Sequence, residues 1–276
     1  MPVAAGEFAF TWADFRDIAA LVHGEAGIVL SESKANLVYS RLAKRLRIIG
    51  LRSFREYCAL IASDEGVDER QALIAAMTTN VTRFFREPHH FDHLAEVTLP
   101  PLVEAARKGG RVRIWSAGCS SGEEPYSIAL TLLSVMPDAG EHDVLILASD
   151  IDPNMIERAS SGSYPAERLG DIPVKMRARG VKTMGSAFGF TNDVQRLIRF
   201  RQLNLLKTWP IKNQFDAIFC RNVMIYFDHE TQDSIWRRYA AQLQPNGFLY
   251  IGHSERIAAD SLFRLTAQTT YRLEKR

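Results

Sequence analysis

The sequence predicts an α/β protein: a doubly wound, Rossmann-like parallel sheet with a small inserted antiparallel β element, preceded by a helical N-terminal domain. Three observations carry this expectation. Residues 10–80 show helical apolar spacing throughout and contain no proline. From about residue 111, continuous apolar runs at 112–117, 144–149, 215–220 and 247–252 alternate with helical patterns at 125–136, 153–160 and 229–243, the rhythm of a parallel sheet with helices on both faces. Between the first run and its helix lies a glycine turn, Gly118 to Gly122, of the kind that lets a ligand approach backbone at the carboxyl end of a strand.

The N-terminal region divides into helical segments at 11–23, 32–49, 53–63 and 67–79. Between Lys34 and Arg55 stand seven basic residues (Lys34, Arg41, Lys44, Arg45, Arg47, Arg52, Arg55) and no Asp or Glu. Val38, Leu42, Leu46 and Ile49 recur at helical spacing, Gly50 is a natural stop, and Lys34, Arg41 and Arg45 share a stripe beside that apolar face. A charge run is commonly just a solvated face. The absence of interleaved acids here points instead to a polyanionic partner, either nucleic acid or an acidic protein face.

Residues 79–91 connect the two regimes and read as a linker that could act as a lid. Asn80 and Thr82 offer short polar side chains, Phe84 and Phe85 an apolar anchor, and Arg86 a cation; a helix cap with core aromatics is the plainer alternative. His89 and His93 stand one helical turn apart, but no third ligand accompanies them and no metal is expected.

The stretch 112–124 is the most informative. Gly118 and Gly122 form G-x-x-x-G, so the dinucleotide fingerprint is absent, and no phosphate-loop motif occurs in the chain. Glu123 and Glu124 follow, suiting hydroxyls, an amine or a cation rather than phosphate. S-adenosylmethionine carries all three and no phosphate. The second apolar run ends in Asp150, placed to accept hydrogen bonds from ribose hydroxyls; Asp152, before Pro153, is expected to cap the next helix. The third run ends in Cys220, Arg221 and Asn222 in the same crevice, with Tyr226 one helical turn beyond, and His253-Ser254-Glu255 follows the fourth. Between 162 and 204 the alternation breaks into Gly, Pro and basic residues, read as the inserted β element with Arg196–Arg201 inside it. Residues 262–274 read as a closing strand pair.

Nearly half the residues are apolar, the net charge is +2, and no run approaches the length of a membrane helix. Cys58, Cys119 and Cys220 lack pairing or metal spacing and no signal peptide is visible, which together predict a cytoplasmic protein.

Taken together, several segments strongly resemble the CheR family, the chemotaxis receptor glutamate O-methyltransferases. They are Asn80-x-Thr82-x-Phe84-Phe85-Arg86, the run Ser116 to Ser127, Ala148 to Asp152, Asn204-Leu205-Leu206, Phe215 to Phe227, and Gly252 to Glu255, in the family's order. The resemblance implies a helical domain (1–80) with a basic receptor-recognition helix, a linker and lid (81–110), and a class I methyltransferase domain (111–276) bearing an inserted antiparallel β-subdomain (162–204). It also implies S-adenosylmethionine as methyl donor, S-adenosylhomocysteine as product, and glutamates on the cytoplasmic helical region of transmembrane receptors as acceptors. Carried over by position, Asn80, Thr82, Arg86, Gly118, Glu124, Asp150, Asn204, Leu205, Arg221 and Asn222 line the cofactor site, and Arg86 and Tyr226 stand near the transferring methyl. Lys34, Arg41, Lys44 and Arg45 become the receptor-binding set. Residues 165–195 match the family only loosely, so no peptide-docking residues carry over. A monomer without nucleic acid or metal is expected. The competing expectations are a nucleic-acid methyltransferase and a non-catalytic adaptor; retention of Arg86, Asp150 and Tyr226 weighs against the latter.

Overall fold

The computed structural model describes residues 6–258 and 262–274. Its contacts divide the chain into two compact units, the described residues through Thr79 together with Tyr226–Thr231, and Asn80–Ile225 together with the described residues from Gln232 onward.

The first unit is helical: α1 (Trp12–Ala26), α2 (Ala35–Ile49), α3 (Phe54–Ala62) and α4 (Val67–Met77). Local chemistry sets their ends. Thr11 and Asp14 form a reciprocal capping box at the start of α1, Ser53 caps α3, and Gly50 closes α2 at φ 75°, a left-handed conformation that costs glycine little. The interior is built on aromatic rings, with Phe10 against Phe54 at 4.3 Å between centroids and Tyr39 against Phe54 at 5.5 Å. Val38, Leu42 and Leu46 of α2 are fully buried, as their spacing predicts.

The basic helix α2 is less free than its sequence suggests. Arg41 donates through Nη1 to the carbonyls of Ala76 and Thr78, capping the C-terminus of α4. Arg45 forms a two-point ion pair with the buried Glu69, which also accepts from the Tyr57 hydroxyl at 3.0 Å. Lys34 and Lys44 remain exposed. The stripe thus serves the helix pair α2–α4 as well as presenting charge outward.

The second unit begins with α5 (His89–His93), a π turn (Leu94–Thr98) and α6 (Leu99–Arg107), which run on without a break. The segment 81–110, expected as linker and lid, is thus helical from His89 to Arg107. Phe84, Phe91, Leu94, Leu99 and Val103 are buried in the main core, and the two prolines that obscured the helical period sit in the first turn of α6, directly after the π turn. Then follow β1 (Val112–Ala117), α7 (Glu123–Val135), β2 (Val144–Asp150), α8 (Pro153–Ser161), β3 (Tyr164–Pro165), α9 (Val174–Gly180), β4 (Val181–Met184), β5 (Ala187–Phe190), α10 (Asn192–Gln195), β6 (Ile198–Gln202), β7 (Phe215–Cys220), α11 (His229–Gln242), β8 (Leu243–Ile251), β9 (Phe263–Ala267) and β10 (Thr270–Leu273).

The main sheet has the order β6-β2-β1-β7-β8-β10-β9. Its first five strands are parallel, and the closing pair β9–β10 is antiparallel. A separate sheet, β3-β5-β4, forms the antiparallel insertion. One strand differs from expectation: β6 belongs to the main sheet, paired parallel with β2, and not to the insertion. As an edge strand it alternates buried Ile198 with outward Arg199 and Arg201, the charged guarding of an open edge, and so its sequence resembles a solvated flap. The insertion is fastened by rings: Phe84 packs on Tyr164, Phe188 and Phe190, and Tyr126 of α7 stacks on Phe190 at 4.1 Å. Helix α7 is buried from Glu123 through Leu133, consistent with its central place and its nearly all-round apolar sequence. Among the described residues no helix is long and apolar enough to cross a membrane.

Beside the sheet, His90 is fully buried, bonds through Nε2 to the Thr269 hydroxyl at 2.8 Å and packs edge-on against Tyr250. Burial, reinforced by the nearby Arg221 charge, pushes its pKa down to about 3. An unfolded histidine titrates near about 6.5, so stability is complete above that pH and declines on acidification toward the folded value. In urea titrations at a series of pH values, His90→Gln should remove about 1.4 kcal/mol per pH unit of acid destabilisation between about pH 6 and about pH 4. Identical slopes for variant and wild type would show that His90 takes up its proton freely in the fold.

Candidate functional site

The carboxyl ends of β1, β2 and β7 lie side by side, at Ala117, Asp150 and Cys220. The loops leaving them build a crevice within the second unit. After β1, Gly118 adopts φ +87°, and a Cβ there would lie 2.4 Å from Val223 Cγ2 of the loop after β7. The close approach of two loops requires glycine. Gly122 repeats the device at φ +97°, where a Cβ would strike Tyr164 and Ala159. Helix α7 starts immediately afterwards, with Glu123 and Glu124 in its first turn, where the helix dipole favours negative charge.

Asp150 is buried at the tip of β2. Its Oδ2 accepts from the Ser120 amide at 2.8 Å and its Oδ1 from the Asp152 amide at 3.0 Å. Burial pushes its pKa up, with those two amides pulling the other way. Asp152 caps α8 as its position predicts, its Oδ1 accepting from the Asn154 amide at 2.9 Å. Asn80 reaches the same place: its Nδ2 donates to Asp152 Oδ2 at 3.1 Å, and its carbonyl accepts from the Ser120 hydroxyl at 3.1 Å.

On the other side, Arg221 at the end of β7 is buried between two carboxylates. Nη1 stands 3.0 Å from Glu124 Oε2 and Nη2 3.2 Å from Glu87 Oε2, while Nη2 also donates to the Arg86 carbonyl. Glu124 Oε1 accepts from the Ser116 hydroxyl at 2.7 Å. Burial alone would raise the Glu87 pKa, but Arg221 and the His253 hydrogen bond outweigh it and hold the carboxyl down to about 2. Glu87 was not singled out from the sequence; Arg221 and His253, which hold its charge, lie more than 130 residues away.

The structure therefore brings together Asn80, Gly118, Glu124, Asp150, Arg221 and Asn222. Leu203, just before Asn204 and Leu205, joins them by donating its amide to the Asp150 carbonyl at 2.8 Å. Leu205 is buried, and its carbonyl accepts from Trp209 Nε1 at 3.1 Å. Arg86 is half-buried and donates to the Val81 carbonyl at 3.0 Å; the Thr82 carbonyl accepts from Arg168. Tyr226 groups with the helical unit, where its hydroxyl donates to the Thr79 carbonyl at 3.2 Å.

His89, His90 and His93 each meet a hydroxyl. His93 bonds to the Tyr250 hydroxyl at 2.9 Å, whereas Glu87, His89 and His90 bring one ligand atom each within 4.8 Å of one another. A metal ion in that group would face the Arg221 guanidinium already seated on Glu87, and both imidazoles already turn Nε2 toward the Thr269 hydroxyl. Nor do Cys119 and Cys220 offer nucleophiles: burial pushes both thiols well above the ordinary range.

The donor set fits S-adenosylmethionine. Asp150 lies at the strand tip suited to ribose hydroxyls, the cradle at Gly118 admits no side chain, and the buried Arg221 is covered by two carboxylates, leaving it no charge to offer a phosphate.

Known proteins agree with this. The family model described as "CheR methyltransferase, SAM binding domain" matches residues 80–272, and "CheR methyltransferase, all-alpha domain" matches residues 13–78. A probable chemotaxis protein methyltransferase of Rhizobium etli is 50% identical over 258 residues, covering 91% of this chain and 96% of its own. Chemotaxis protein methyltransferase 2 of Pseudomonas aeruginosa is 43% identical, covering 96% and 94% respectively. The chemotaxis protein methyltransferase of Escherichia coli is 44% identical, covering 95% and 91%. With both models matched in order along the sequence, this chain belongs to the CheR methyltransferase family and is an S-adenosylmethionine-dependent methyltransferase.

Proposed function

We propose that this enzyme methylates glutamate side chains on the cytoplasmic helical region of chemotaxis receptors, forming methyl esters, and that it acts in the cytoplasm. Membership of a family whose relatives are named chemotaxis protein methyltransferases supports the receptor as substrate. The observation that carries the carboxylate acceptor is the state of the buried ionisable groups around the crevice. Asp150 is committed to two amides, Glu124 to Ser116 and Arg221, Glu87 to Arg221 and His253, and His90 is held neutral. An amine or hydroxyl acceptor needs a base to remove its proton. A glutamate carboxylate, titrating near about 4.3, is already a nucleophile at neutral pH.

The bound donor supplies an electrophilic methyl on a sulfonium. The chain's own contribution is then alignment and exclusion of water. Asp150, with its backbone anchors fixing the carboxylate plane, would hold the ribose; Gly118 and Asn222 line the approach, and Asn80, Thr82, Glu124, Asn204 and Leu205 complete the donor set. Arg86 and Tyr226 would orient the acceptor carboxylate or the methionine end of the donor. A tight ion pair from Arg86 to the attacking oxygen would blunt it, so the role assigned to Arg86 is positional. On α2, Lys34 and Lys44 would meet the acidic receptor helix, with Arg41 and Arg45 contributing charge while they hold α4.

Two outcomes are expected. Asp150→Asn should weaken S-adenosylhomocysteine binding about 100-fold by titration calorimetry, since the negative charge and one of the two acceptor oxygens are lost; unchanged affinity would remove Asp150 from the donor site. With radiolabelled donor and receptor-bearing membranes, the product should release methanol in alkali, as an ester does. Under those conditions Tyr226→Phe should lower kcat about tenfold with donor affinity within about twofold of wild type, the loss of one hydrogen bond realised in the transition state. An alkali-stable product would overturn the glutamate assignment, and an unchanged kcat would dismiss Tyr226.

A further inference from the structure

Glu255 lies just beyond β8, is 4% exposed, and makes no ion pair with any described residue. Its carboxylate instead collects backbone amides. Oε1 accepts from Val223 and Met224, both at 2.8 Å, and Oε2 accepts from Asn222 at 3.1 Å and from Gly252. Three of these four donors belong to one loop, the segment leaving β7. That loop has no strand partner to satisfy its amides, and Asn222 within it takes φ +59°, a left-handed conformation with a cost for a non-glycine residue. Burying a carboxylate without a cation is unfavourable, and desolvation does push its pKa up. Its retention there requires a return, and the only visible return is the loop it holds.

The position of that loop matters to the donor crevice. It carries Arg221 and Asn222, and its Val223 side chain rests on Gly118 so closely that no Cβ fits between them. Gly252 meets the same constraint from behind, where a Cβ would come within 2.5 Å of Asn222 Nδ2. A shift of a few tenths of an ångström in residues 222–224 would therefore be passed directly to the glycine turn.

We propose that Glu255 is a positioning residue for methyl-donor binding: its four-amide clamp fixes the loop 221–224 against the glycine turn at Gly118. The inference rests on the assignment of this crevice as the donor site. Glu255→Gln is the sharpest variant, because it keeps the volume but leaves only one oxygen. The new amide group turns its own N–H toward two backbone donors, whichever way it is oriented. Glu255→Asp, which keeps both oxygens on a shorter stem, should recover part of the loss.

The test is titration calorimetry of the full chain with S-adenosylhomocysteine, alongside Val103→Ala, a buried site on α6 chosen to lower Tm without touching the crevice. The expected result is binding at least about tenfold weaker for Glu255→Gln with stoichiometry still near one, and wild-type affinity for Val103→Ala. An affinity within about twofold of wild type, or a reduced stoichiometry at unchanged affinity, would show Glu255 to be structural only. Should Glu255→Gln not fold, hydrogen exchange on the wild type decides: the amides of Asn222, Val223 and Met224 should be protected in the absence of ligand. Fast exchange there would overturn the clamp. If the wild type itself fails to bind S-adenosylhomocysteine, the donor-site assignment fails and the clamp assignment is overturned with it; if only Asp150→Asn loses binding, the donor site stands and the clamp alone falls.

Discussion

The crevice depends on one buried guanidinium. Arg221 ties three separated stretches of chain: the segment at Arg86–Glu87, the first turn of α7 through Glu124, and the end of β7 on which it sits. Such a buried triad contributes little net stability compared with an apolar replacement, because three charges must be stripped of water. Removing one member is another matter, since the remaining charges would be left without partners. The arrangement thus fixes geometry more than it stabilises the fold. It also sets the local charge: two carboxylates share one guanidinium, and with Asp150 nearby the crevice favours a ligand carrying positive charge over one carrying phosphate.

The same electrostatic logic separates the acids by task. Asp150 and Glu255 are both buried carboxylates facing amides rather than cations, and burial raises both. Asp150 stands at a strand tip beside the glycine turn, held by the amides of Ser120 and Asp152. Glu255 is turned inward to backbone. Glu123, whose Oε2 accepts from the Ser121 hydroxyl at 2.7 Å, is confined to the start of α7 although it looked equivalent to Glu124 in sequence. Neighbouring residues one position apart on a helix point about 100° apart, so only one of the pair can reach the crevice.

What was legible in the sequence followed from local rules. The apolar runs that became β1, β2, β7 and β8, the glycine turn and the capping role of Asp152 all rest on interactions spanning a few residues. What was not legible depends on contacts distant in sequence. Glu87 and Glu255 acquire meaning only when β7 is placed next to them, and β6 reads as a flap until β2 supplies its partner. The helix from His89 to Arg107 was hidden by paired prolines and a histidine cluster whose side chains turn out to face Tyr250 and Thr269. On α2 the pattern revealed the charge but not its spending: Arg41 and Arg45 are drawn inward by the open carbonyls of α4 and by Glu69.

The helical unit is not made of one continuous stretch. It includes Tyr226–Thr231, where the Val29 amide donates to the Tyr226 carbonyl at 2.9 Å and His23 meets Asp228 at 2.9 Å. These contacts join residues about 200 positions apart. On the ribosome, the first eighty residues can gather their aromatic core early, but the unit cannot close until most of the sheet has been synthesised. Closing so long a loop carries an entropic cost that grows only slowly with length, so the penalty falls mainly on time. The nascent chain is therefore expected to pass through a stage in which its first unit is formed but unsealed, with the surface destined for residues 226–231 open to other proteins.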